Sequence, residues 1–178
     1  MNEPTMQQPT KDYRGTIIIC DHLYRTTEDK WVIAGTYNTL VSHRDHVHLE
    51  LPLYIRLQAM DVGNFQCKIK IIDRARLSTE KALMETSISF DVKNPNDTIE
   101  IGLTTPAFDV RRPAEWNDLP PGRAIQYALT IWLQADNMQG KAFDLASATL
   151  RIIFPKENPT GGDHGPDPDA RTDPGAAS

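Results

Sequence analysis

Apolar residues fall at every second position across one long stretch of the chain, where Val47, Leu49, Leu51, Leu53, Ile55 and Leu57 alternate with His46, His48, Glu50, Tyr54, Arg56 and Gln58. Period two marks a strand with one buried face, because successive side chains of an extended chain point to opposite sides. Pro52 interrupts the run. It has no N–H to donate to a ladder, so the stretch divides into a short arm and a strand over 53–59. The alternation returns in 65–72, 86–92, 98–104 and 123–135, and again at Leu150, Ile152 and Phe154. No long segment shows the 3.6-residue period of an amphipathic helix, so the chain is read as all-β.

Turn signals then suggest which strands pair. Residues 16–38, TIIICDHLYRTTEDKWVIAGTYN, set two β-branched apolar runs either side of the charged turn TTEDK, which predicts a hairpin. Gly35 in its second run marks a bulge or a close backbone approach. The turn at Asp61, Val62, Gly63 and Asn64 predicts a second hairpin, KNPND a third between 86–92 and 98–104, and DNMQG a fourth at the end. Between 73 and 84 the pattern breaks, and Ser78 could cap one helical turn there. Seven to nine strands at this spacing predict an antiparallel β-sandwich, immunoglobulin-like or C2-like, with an open-ended barrel as the alternative.

Residues 1–12 are read as a disordered lead, 13–155 as one domain, and 156–178, rich in Pro, Gly and Asp, as a disordered acidic tail. Net charge is -5 overall, yet the body is nearly balanced and has no run of Lys or Arg. That argues against a nucleic-acid binder, which needs a basic stripe to neutralise phosphates. Cys20 and Cys67 sit among Ile residues inside predicted strands and are read as buried free thiols. The first residues lack the features of a secretory leader, and no apolar run approaches the ~20 residues of a membrane span, so the expected location is the cytoplasm.

Motifs for chemistry are few. His46, His48 and Glu50 share one strand face, and imidazoles at i and i+2 with a nearby carboxylate are the candidate metal ligands. A cupin-like site needs a later strand histidine, whereas the only later one is His164 in the tail. The aspartates near turns lack the close spacing of calcium-binding loops. There is no G-x-S-x-G elbow and no phosphate-binding glycine motif, so neither nucleophilic catalysis nor a nucleotide cofactor is implied. Residues 106–121, with four prolines, form a long connection. Phe108, Arg111, Arg112 and Trp116 within it are residue types enriched at interface hot spots, and they are the candidate partner-binding set. The competing reading has Phe108 and Trp116 plugging the end of the domain. The whole points away from an enzyme and toward a binding or scaffold module for a protein partner, with no cofactor; a metal-dependent enzyme on His46, His48 and Glu50 is the alternative.

Several stretches together resemble a family of small bacterial proteins defined as a domain of unknown function. They are an apolar strand ending in Cys20-Asp21, a charged turn, and a strand running into Gly35, Thr36, Tyr37 and Asn38. The segments PLYIRLQ, FQCKIKIID and PGRAIQYALTIWL are similar to that family's later strands. The resemblance covers about residues 16–154 and implies a compact β-rich bacterial protein. It carries no activity or site residues. The stretch 106–121 and the acidic tail depart from the family's pattern.

Overall fold

The computed structural model describes residues 13–58, 60–73, 82–137 and 142–157. The expected lead, nearly all of the expected tail and the helical turn expected at Ser78 lie outside the described residues. Eleven strands are described: β1 (Arg14–Arg25), β2 (Trp31–Thr36), β3 (Thr39–Val41), β4 (His46–Leu49), β5 (Pro52–Gln58), β6 (Gly63–Asp73), β7 (Met84–Val92), β8 (Ile99–Thr104), β9 (Phe108–Arg111), β10 (Ala124–Asn137) and β11 (Ala142–Pro155). They form a four-stranded sheet in the order β2-β1-β5-β8, a five-stranded sheet in the order β3-β11-β10-β6-β7, and a two-stranded ribbon of β4 and β9. All-β architecture is thus established, with more strands than the seven to nine expected. β3 runs parallel to β11, which makes the larger sheet mixed.

The chain divides at Pro52 as its chemistry requires, and β5 begins on that residue. The first and last predicted hairpins are present: β1 pairs with β2, and β10 with β11 along most of their length, with a bulge at Leu133 and Gln134. The two middle ones are not. β5 pairs with β1 and β8, whereas β6 pairs with β7 and β10, so the turn at Asp61–Asn64 passes between sheets. β7 and β8 likewise belong to different sheets. Turn residues fix that the chain reverses there, and both sheets accept a strand with one apolar face.

One core cluster draws on both sheets. Leu53, Ile55 and Leu57 of β5 join Cys67, Ile69 and Ile71 of β6, with Leu129, Ile131 and Leu133 of β10 and Leu150, Ile152 and Phe154 of β11; all are fully buried. β1 links the sheets at one side. Its first half bonds to β5 and its second half to β2, while Gly15 lies so close to β11 that a Cβ there would meet the Leu145 carbonyl oxygen at 3.1 Å.

Candidate binding site around Trp116

The long connection expected at 106–121 is built rather than irregular. Its first part is β9, which pairs antiparallel with the arm ahead of Pro52, so that Leu49 faces Phe108 and Val47 faces Val110. Pro113 then leads into a 3₁₀ helix, Ala114–Asp118. The chain leaves it through a turn at Pro120, Pro121 and Gly122, where the Arg123 N–H donates to the Pro120 carbonyl (3.3 Å). Proline second and glycine third, at φ 74°, are what a type II turn requires.

These elements fix Trp116. Its indole N–H donates to the Phe154 carbonyl on β11 (3.1 Å), and its ring packs against the core cluster while staying partly exposed. The Arg112 guanidinium lies 3.6 Å from the ring centroid and the Lys156 ammonium 4.9 Å from it. Both cations are attracted to the negative π-face of the indole. Arg112 is also ion-paired with Asp45, and its backbone N–H donates to the Asp45 carbonyl (2.8 Å). Lys156 donates to the Asn117 carbonyl (2.7 Å), satisfying an oxygen left unpaired by the short helix. His43 meets Glu157 at 3.2 Å beside them. Together His43, Arg112, Trp116, Pro155, Lys156 and Glu157 line a shallow cleft of about 370 Å³.

The four candidate partner-binding residues therefore separate. Phe108 is only 6% exposed and belongs to the core. Arg111 is exposed, opposite His46 on the ribbon. Arg112 and Trp116 come together as one stack. Lys156, His43 and Asp45 complete it, and the sequence reading did not include them. Lys156 is 40 residues from Trp116, and no spacing pattern connects them.

The candidate metal ligands are also placed. His46 and His48 project outward from β4, where the strand partner of His46 is Arg111, and His48 Nδ1 lies 2.9 Å from Asp109 Oδ1. Glu50 is exposed just beyond the strand. Among the described residues, no three His, Cys, Asp or Glu side chains group so as to hold a metal ion. Cys20 and Cys67 are free and buried. Burial pushes the Cys67 thiol up to about 12 and raises that of Cys20, where Asp21 adds to the effect. Such thiols stay protonated at neutral pH and behave as core groups. Among the described residues, no helix is long and apolar enough to cross a membrane.

Compared with models of known families and with curated proteins, the chain matches none.

Proposed function

We propose that this protein is a non-enzymatic binding module, an immunoglobulin-like β-sandwich whose Trp116 edge docks a protein partner. The observation that carries this reading is the stack itself. A partly exposed Trp and an Arg are held by a hydrogen bond, an ion pair and two cation–π contacts, so little side-chain freedom remains to be lost on binding. Trp and Arg are the residue types most enriched at energetic centres of interfaces. The sandwich is supported by two sheets that bury their apolar faces in one shared cluster. We further propose that the module works in the cytoplasm, where two free cysteines remain reduced.

The experiment is a quantitative co-purification from the native cell with full-length protein. Wild type is compared with Arg112→Gln, which removes the cation stacked on Trp116, and with Trp116→Phe, which removes the indole N–H and narrows the ring. A partner recovered in stoichiometric amount with wild type and lost with both variants supports the reading. An unchanged set of co-purifying proteins sinks it.

A further inference from the structure

Trp132 stands on the solvent side of the five-stranded sheet. It lies on β10, the middle strand, and is 36% exposed, while its chain neighbours Ile131 and Leu133 turn inward and are fully buried. The residues directly beside it on that outer face carry hydrogen-bonding groups. Ser147 and Lys70 are its partners on β11 and β6, and Thr130 and Gln134 sit two residues away along its own strand. A cleft of about 440 Å³ borders the ring, lined in part by Thr130, Asp144 and Ser147.

The charge on this face decides what class of ligand fits it. Lys70 is 3.9 Å from Glu85 on β7, and Asp144 accepts a hydrogen bond from Gln134 (3.3 Å), whose other strand partner is Lys68. With Arg151 on β11, Asp136 on β10 and Asp91 on β7, which alternate to the same side, the outer face carries three cations and four anions, and so no excess of positive charge. A nucleic acid would stack on the indole but would bring its phosphates to Asp144 and Glu85 without an excess of cations to receive them. The complementary ligand is neutral, rich in hydroxyl groups, and possesses one apolar face. A pyranose whose hydroxyls are equatorial meets all three conditions: its ring lies flat over the indole with its axial C–H bonds pointing at the negative face, and its hydroxyls project sideways toward donors and acceptors.

We propose that this sheet face is a glycan-binding platform, with Trp132 as the stacking floor and Thr130, Gln134, Ser147 and Lys70 as the hydroxyl-binding rim. The site is rigid before ligand arrives, because β10 is held by ladders on both sides. It lies on different strands from β9 and the Trp116 helix, so the two proposals are separable by mutation.

The test is affinity electrophoresis of the full chain through native gels containing hydroxyethyl cellulose, glycol chitin or laminarin, three neutral β-linked glycans. Retardation is expected in at least one gel. It should weaken by about tenfold or more in Trp132→Ala, persist in part in Trp132→Phe, and be unchanged in Trp116→Phe. A Thr130→Ala, Gln134→Ala double variant keeps the test decisive should Trp132→Ala fold poorly, and it too should lose retardation. Unretarded migration of wild type in all three gels overturns the proposal, as does retardation that survives loss of Trp132. A Trp132-dependent shift with oligothymidylate, and none with the glycans, overturns it as well and gives the face to single-stranded nucleic acid.

Discussion

The side chain of Asp21 on β1 occupies the space where a Cβ on Gly35 of β2 would stand. Gly35 has φ 66°, and a Cβ built there would lie 2.9 Å from Asp21 Cγ and closer still to its carboxylate oxygen. The β1–β2 ladder runs through Cys20 with Thr36 and His22 with Ala34 but omits this pair. Glycine is thus required twice at one position, for its backbone angle and for its missing side chain.

Gly35→Ala is expected to lower stability by about 2–4 kcal/mol, combining the left-handed backbone cost with the collision. In an Asp21→Gly background only the backbone part remains, about 1–2 kcal/mol. Urea unfolding of the two single variants and the double variant measures the coupling. Strict additivity would show that the Asp21 side chain does not press on this glycine.

Truncating Trp116 tests how firmly the binding edge belongs to the fold. Its ring is partly buried and its N–H is bonded, so Trp116→Ala should cost about 2–3 kcal/mol, below the ~3–5 kcal/mol of a fully buried aromatic. Trp116→Phe retains most of the packing and loses chiefly the hydrogen bond to Phe154, about 1 kcal/mol. Denaturant midpoints at constant slope distinguish the two values.

Stability should fall on the alkaline side through identifiable groups. The Tyr54 phenol is pushed up to about 12 by burial and by its hydrogen bond to Glu100, and that of Tyr13 to about 12 by its hydrogen bond to Asp61 and then by burial. Cys67 is raised to about 12 by burial alone. The fold favours the protonated form of each. Their contribution is therefore complete below the unfolded values, 9.0 for the thiol and 10.0 for the phenols, and is lost as pH climbs through the folded ones. Unfolding free energy measured from pH 8 upward should begin to decline near 9 and steepen above 10. Cys67→Ala should lessen the decline from its onset near 9, leaving the tyrosines to steepen it above 10. An unaltered slope between the two values would remove Cys67 from the account.

What could be read from the residues follows from what alternation encodes. It specifies which side of a strand is buried, and β5, β6, β10 and β11 keep the faces that their sequences assign. Tyr54 is the instructive departure. It falls on the polar side of its strand, between Ile18 and Gly102 of the flanking strands, yet is 8% exposed, with its hydroxyl donating to Glu100 on the neighbouring β8 at 2.6 Å. Alternation is silent on partners. The strands flanking Asp61–Asn64 look like a hairpin since nothing local distinguishes a turn within one sheet from a turn between two. β3 and β9 have only three and four residues, too few to display a period, and so 106–121 read as a loop although Phe108 and Val110 were already spaced as a strand. Trp116 was visible as an anchor from its size and isolation. The groups that make it a site come from other segments, and only the three-dimensional path of the chain brings Asp45, Arg112 and Lys156 together.

That path also moves the end of the domain. Composition puts the boundary after Pro155, but Lys156 is part of the folded edge. Its backbone N–H donates to the Arg123 carbonyl at 2.7 Å and its own carbonyl accepts from Gly122 at 2.8 Å, extending the junction of β10 and β11. Its ammonium closes the 3₁₀ helix on the Asn117 carbonyl and sits over Trp116. Lys156→Met keeps the aliphatic stem and removes the charge. It should cost about 1–2 kcal/mol, the combined scale of a charge-assisted hydrogen bond and a partly exposed cation–π contact. A chain ending at Pro155 loses the two backbone bonds as well and should be less stable than Lys156→Met. Urea unfolding of a chain ending at Glu157, of Lys156→Met in that chain, and of a chain ending at Pro155 should give stabilities falling in that order. Equal stability of all three would return the boundary to Pro155.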